Sequence, residues 1–125
     1  LADTWDDPRW KKFVADYKNA FPKGFPSPSL FAQFYYINTK ALLLALEQVG
    51  GDVSDGGVKL RAVLSKLEFD TPTGKVRLDE RRNGIANNFV TEVAVGPDGN
   101  LINKTAKLIE KVHQILGVSR VEVVK

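Results

Sequence analysis

Residues 29–52 carry the clearest pattern in the chain, an aromatic cluster running directly into a long apolar stretch. Pro22, Pro26 and Pro28 stand ahead of it. Proline cannot occupy a helix interior, so the three impose an extended or turned entry that presents Ser29 as an N-cap. Phe31, Phe34, Tyr35 and Tyr36 then fall in the first turns, and Gly50-Gly51 supplies a natural stop. Apolar residues at 31, 34, 35, 42, 45, 46 and 49 keep helical spacing, and Gln33, Lys40 and Glu47 form the regular polar stripe. The pattern predicts a core helix, covered by protein over most of its circumference, with an aromatic mouth.

Around it the chain reads as two further helices followed by strands. Asp7 caps a helix over about residues 8–21, with Pro8 at its first position and Trp10, Phe13, Val14, Tyr17 and Phe21 on one side. Ser54 or Asp55 opens a short helix whose inner face is Leu60, Val63, Leu64 and Leu67, with Gly56 and Gly57 softening its first turn. The period then changes to two. Phe69, Val76 and Leu78 flank a Thr71-Pro72-Thr73-Gly74 turn and read as a short hairpin or two edge strands. Phe89, Thr91, Val93 and Val95 share one face of a strand that ends at the turn Pro97-Asp-Gly-Asn100. After that turn, Ile102, Ala106, Leu108 and Ile109 fit either a returning strand or a helix continuing through Val112, Ile115 and Leu116. Lys, Leu, Ala and Glu content slightly favours the helix over residues 103–117. Residues 119–125 suit a short strand by propensity.

The order of these features resembles a known family. An aromatic-rich helix ending in Ala45-Leu46-x-x-x-Gly50-Gly51-Asp52 precedes the short helix Leu60-Arg-Ala-Val-Leu-Ser-Lys-Leu67. Phe69-Asp-Thr-Pro-Thr-Gly-Lys-Val-Arg-Leu-Asp79, the most specific piece, follows. Together they are similar to the C-terminal portion of type I periplasmic solute-binding proteins, nearest the leucine/isoleucine/valine-binding receptors of branched-chain amino acid ABC transporters. The resemblance covers nearly all of this chain but only the last part of such a protein, so it implies a fragment. It implies an α/β class, the C-terminal part of a two-lobed, Rossmann-like fold in which three helices precede a β-hairpin. Residues 1–79 would complete lobe one, and residues 80–125 would form a hinge-crossing hairpin and tail. The resemblance favours a strand to about Lys111 and a short helix at the end of the tail.

Composition narrows the function without naming it. The chain has 125 residues, 43% of them hydrophobic, enough for one core and too few for two. Its 18 basic and 15 acidic residues leave a formal charge of +3, scattered rather than gathered on one face, which argues against nucleic acid as a partner. Cysteine is absent, which removes disulfides and thiolate metal sites but leaves the compartment open. His113 has no nucleophile or metal-ligand pattern around it, so the chain reads as a non-enzyme. Asp52-Val-Ser-Asp55 lacks the ligand spacing of a calcium loop and suits helix capping better. Gly50-Gly51 and Gly56-Gly57 do not form a phosphate-binding fingerprint, and no cofactor is expected.

The candidate binding residues are Phe31, Ser29 and Gln33. Aromatic residues at the head of an apolar helix are more often packing than ligand contacts. The resemblance points the other way, because a residue at the start of the corresponding helix closes the apolar side of the ligand, and aligning on Ala45-Leu46 places Phe31 there. Ser29 and Gln33 lie close enough to offer polar contacts. The implied function is the solute-binding component of an ABC importer for a hydrophobic amino acid or small carboxylate, aromatic ones included, with a membrane permease as partner. Periplasmic location follows from the same resemblance, with a signal peptide expected upstream of the fragment. An isolated fragment is expected to expose apolar surface and to dimerise or swap elements. The alternative is a ligand-sensing domain of a receptor or regulator sharing the fold, which a joined DNA-binding or kinase module would favour.

Overall fold

A computed structural model of the chain describes residues 2–114. Three helices, α1 (Pro8–Ala20), α2 (Leu30–Gln48) and α3 (Val58–Leu64), precede four strands, β1 (Glu68–Thr71), β2 (Gly74–Leu78), β3 (Gly84–Val95) and β4 (Leu101–Val112). The strands form one antiparallel sheet in the order β1-β2-β3-β4. The fold is therefore α/β in the expected sense, helices first and hairpin after. No helix among the described residues is long and apolar enough to cross a membrane.

Capping chemistry sets the helix boundaries. The Asp7 carboxylate accepts from the Arg9 backbone N–H at 2.8 Å and also pairs with the Arg9 guanidinium. That side-chain bond from Arg9 holds the Asp7 carboxyl below its ordinary range. Ser29 Oγ accepts from Ala32 N–H at 3.2 Å, and Pro28 behind it is fully buried. At the other end of α2, Gly51 N–H donates to Leu46 O and Gly50 N–H to Glu47 O, the paired bonds of a Schellman stop, with both glycines at positive φ. Asp55 accepts from the Val58 and Lys59 N–H groups and so opens α3. Gly56 and Gly57 form a left-handed lead-in ahead of α3 rather than its first turn, because both adopt positive φ.

In the sheet, residues 103–112 settle as strand. β3 and β4 pair from Val95↔Leu101 down to Ala86↔Val112, with irregularities between Ala86/Asn88 and between Val90/Thr91. Cross-strand pairing along twelve residues outweighs the helix propensity of Lys, Ala, Leu and Glu. Expectations for Ile115 and Leu116 and for residues 119–125 lie outside the described residues. The edge of β4 is met by the N-terminal segment: Asp3 N–H donates to Asn103 O at 3.0 Å, Thr105 N–H donates to Thr4 Oγ1 at 2.9 Å, and Trp5 stands edge-on to Phe89 at 4.7 Å. β2 pairs with both β1 and β3, so the sheet runs continuously across the polar segment 79–87. Asp79 holds the connecting turn by accepting from the Arg81 and Asn83 N–H groups.

The helix–sheet junction is built on a buried polar turn. Thr71, Pro72, Thr73 and Gly74 are all buried where β1 turns into β2. Burying polar groups is tolerable only when they are hydrogen-bonded. Thr71 Oγ1 donates to Gly74 O at 2.6 Å and accepts from Thr73 N–H. Thr73 O accepts from Asn87 Nδ2 at 3.0 Å, and Asn87 Oδ1 in turn accepts from Lys111 N–H at 3.1 Å. From α2, Gln33 Nε2 donates to Thr73 Oγ1 at 2.5 Å and Lys40 Nζ to Asp70 O at 2.8 Å. A single turn thus joins α2, the short hairpin and the long one.

The expected covering of α2 is not supplied by the described residues. Phe31 is 71% exposed, Tyr35 75% and Leu43 60%, because no element among the described residues packs over that side. Its inner stripe is narrow, Gln33 and Ala45 being its buried residues.

Gly74 adopts φ +115°, and a β-carbon there would collide with the Asn87 amide. Gly74→Ala is expected to destabilise the chain by about 1–3 kcal/mol from backbone conformation alone, with the steric clash added to it. Urea unfolding followed by fluorescence of Trp5 and Trp10 checks this, and an unchanged midpoint would contradict the packing described.

Candidate ligand-binding site

α1 and the first half of α2 lie side by side with their aromatic residues converging. Phe13 meets Tyr36 at 5.0 Å between ring centroids, and Tyr17 meets Phe21 at 5.3 Å. Beyond α1 the chain turns at Gly24, whose N–H donates to Phe21 O at 2.8 Å. A β-carbon at Gly24 would come within 3.0 Å of Phe21 O and 3.2 Å of the Tyr17 hydroxyl, so glycine lets the loop close against the helix end. That closure brings Phe25 to the opening. The result is a cavity of about 620 Å³ lined by Phe13, Tyr17, Ala20 and Phe21 of α1, Gly24 and Phe25 of the loop, and Ala32, Tyr35 and Tyr36 of α2, with Asp16 at its rim. Its volume falls in the range of small-molecule sites, and its walls are the aromatic, apolar kind such sites use.

A narrower crevice of about 210 Å³ adjoins it. Arg9, Lys12, Phe13, Asp16, Tyr36, Lys40, Asp70, Thr71 and Pro72 line it, so the two spaces share Phe13, Asp16 and Tyr36. Arg9 pairs with Asp7 at 2.8 Å and with Asp70 at 3.3 Å, and Lys12 pairs with Asp16 at 2.8 Å. The bond to Asp7 raises the Arg9 pKa and the bond to Asp16 raises that of Lys12, so both stay charged. The apolar cavity therefore ends in a rim of fixed charge.

The three residues singled out by sequence sit together at the start of α2, but none of them lines the aromatic cavity. Ser29 serves as the α2 cap. Gln33 is 4% exposed, with its amide nitrogen on Thr73 and its Oε1 buried without a hydrogen-bond partner. Phe31 points outward on the first turn, one turn ahead of Tyr35 and outside the cavity lining. Tyr17, Phe21 and Phe25 were not singled out as site residues, since α1 reads simply as an amphipathic helix. The available signal was the concentration of aromatic residues at its C-terminal end together with Gly24-Phe25 before the prolines. The described residues contain no group of three or more potential metal ligands, and His113 stands exposed at the end of the sheet.

Known structures share this architecture. An ABC transporter substrate-binding protein from Sphaerobacter thermophilus superposes with a TM-score of 0.76 at 22% identity, over 89% of this chain and 29% of that one. A solute-binding protein of an ABC transporter from Rhodopseudomonas palustris BisB5, in complex with 3,4-dihydroxybenzoic acid, gives 0.77 at 24% identity over 90% and 30%. One from Rhodopseudomonas palustris HaA2, in complex with p-hydroxybenzoic acid, gives 0.77 at 21% identity over 95% and 31%. These likenesses establish a periplasmic-binding-protein fold, of which this chain spans less than a third of each relative's length. A search of curated proteins returned no significant match. The periplasmic binding protein family model matches residues 2–100, and the chain belongs to that family.

Gln33 carries the contact between the cavity-lining helix and the buried turn. Gln33→Ala is expected to cost about 1–3 kcal/mol, the usual penalty for stripping the partner from a buried polar group such as Thr73 Oγ1. Thermal or urea unfolding measures it, and a loss under a few tenths of a kcal/mol would show that the turn is held by other bonds.

Proposed function

We propose that this chain forms part of the substrate-binding component of an ABC importer, and that its aromatic cavity is one wall of the site for a small hydrophobic carboxylate. The observation that carries the reading is the convergence of Phe13, Tyr17, Phe21, Phe25, Tyr35 and Tyr36 on a space of about 620 Å³. Aromatic walls suit a flat ring through offset or edge contacts. Aromatic acids are thus favoured over branched-chain amino acids as the ligand, and the ligands named for the Rhodopseudomonas palustris proteins support that preference. Location outside the cytoplasmic membrane and a permease partner belong to the same proposal, through the family. Tyr35, which lines the cavity, covers the apolar end of the ligand in this reading, and Phe31, one turn ahead on the same stripe of α2 and outside the lining, borders it.

Calorimetry on the full natural polypeptide, titrated with benzoate, 4-hydroxybenzoate, 3,4-dihydroxybenzoate, leucine and phenylalanine, tests the proposal. An aromatic acid should bind with a Kd on the order of micromolar, about −8 kcal/mol. Tyr35→Ala should weaken that binding by about 1–3 kcal/mol, the value of a buried ring contact, and Phe31→Ala by a smaller amount, since that ring only borders the cavity. Binding of leucine in preference to every aromatic acid would overturn the ligand class. Unchanged affinity in folded Phe31→Ala would leave that ring with a packing role only.

A further inference from the structure

The narrow crevice beside the aromatic cavity holds a cation that differs from its neighbours. Arg9 and Lys12 are each committed to carboxylates. Lys40 is half-buried, and among the described residues its ammonium makes one hydrogen bond, to the neutral carbonyl of Asp70 at 2.8 Å, with no carboxylate within ion-pair distance. An ammonium has three N–H donors, so two remain to be used. Asp16 and Asp70, the acids lining this crevice, are each already paired, and three basic residues face those two acids there. Glu47 borders a neighbouring surface groove that also reaches Lys40.

Position makes the difference useful. Ala32, Tyr36 and Lys40 are spaced at i, i+4 and i+8, one stripe of α2 that advances about 6 Å per step. Ala32 and Tyr36 line the aromatic cavity, Tyr36 also walls the crevice, and Lys40 is the next residue of the stripe. A ring resting against Tyr36 therefore has an unneutralised cation one helical step away, about the length of a benzene ring with its carboxylate. We infer that Lys40 is the charge-selecting end of the site, so that the cavity takes an aromatic acid and discriminates against its neutral analogue. Ser29, at the other end of the stripe, has its hydroxyl oxygen engaged by Ala32 N–H and carries no charge to offer. The inference rests on the reading of the cavity as a ligand site and adds to it the residue that reads the anion.

The test uses the full natural polypeptide and two probes of nearly equal shape, 4-hydroxybenzoate and the neutral 4-hydroxybenzamide. Wild type should bind the acid at least ~10-fold more tightly than the amide, with the preference shrinking as salt is raised. Lys40→Met keeps the aliphatic stem and removes the charge. It should weaken acid binding by about 10-fold while amide binding stays within about 2-fold, and Lys40→Arg should restore most of the acid affinity. Equal losses for both probes would make Lys40 a structural tie to Asp70, and no loss for either would remove it from the site. If wild type binds acid and amide alike, the cavity reading survives and the inference about Lys40 fails. If wild type binds neither, both fail together. Should Lys40→Met not fold, the wild-type preference, its salt dependence and Lys40→Arg still decide.

Discussion

The arrangement depends on burying one polar turn. Residues 71–74 carry two hydroxyls and several backbone polar groups into the junction between α2 and the sheet, where an unmet hydrogen bond would cost on the order of 1–3 kcal/mol. Gln33 reaches the turn from the helix, Asn87 from β3, and Lys111 backbone closes the chain of bonds from β4. Each contact is directional, so satisfying them fixes the height and rotation of α2 over the strands. Gly74 is the steric condition for this, because any side chain there displaces the Asn87 amide.

Once α2 is fixed, its aromatic end meets α1 among the described residues. α1 brings Phe13 against Tyr36, and the Gly24 turn folds Phe25 back across the gap. Phe13, which is buried, meets Tyr36 of α2, while Phe21 and Tyr35 farther along are exposed. The cavity is the place where two helices diverge with rings on both sides. Lys40 also takes part in the turn, through its bond to Asp70 O, so the same contact that steadies α2 holds the ammonium beside Tyr36.

Much of this was legible in the sequence because local chemistry decides it. Asp7, Ser29 and Gly50-Gly51 mark helix ends by mechanisms that need no tertiary context. The segment around Thr71-Pro72-Thr73-Gly74 was readable as a turn and as the most specific part of the family resemblance, while its burial was not, since turns of that composition normally face water. β4 was ambiguous because its residues favour a helix individually and become a strand only through pairing with β3. Which rings of the aromatic mouth face the cavity depends on how α1 docks. Helical spacing groups Phe31 with Tyr35 on one stripe and Ala32 with Tyr36 on another, but it cannot say which stripe meets Phe13. Gln33, read from the sequence as part of a polar stripe and as a polar ligand contact, is buried with its amide nitrogen on Thr73 and anchors the helix.

The central claim is that the space between α1 and α2 receives the ring of an aromatic acid. A crystal structure of the full natural polypeptide grown with 4-hydroxybenzoate tests it most directly. The account predicts ring density against Tyr35 and Tyr36 with the carboxylate directed toward Lys40. Ligand density elsewhere in the protein, with Phe13, Tyr17 and Tyr36 packed against other parts of the polypeptide, would contradict it.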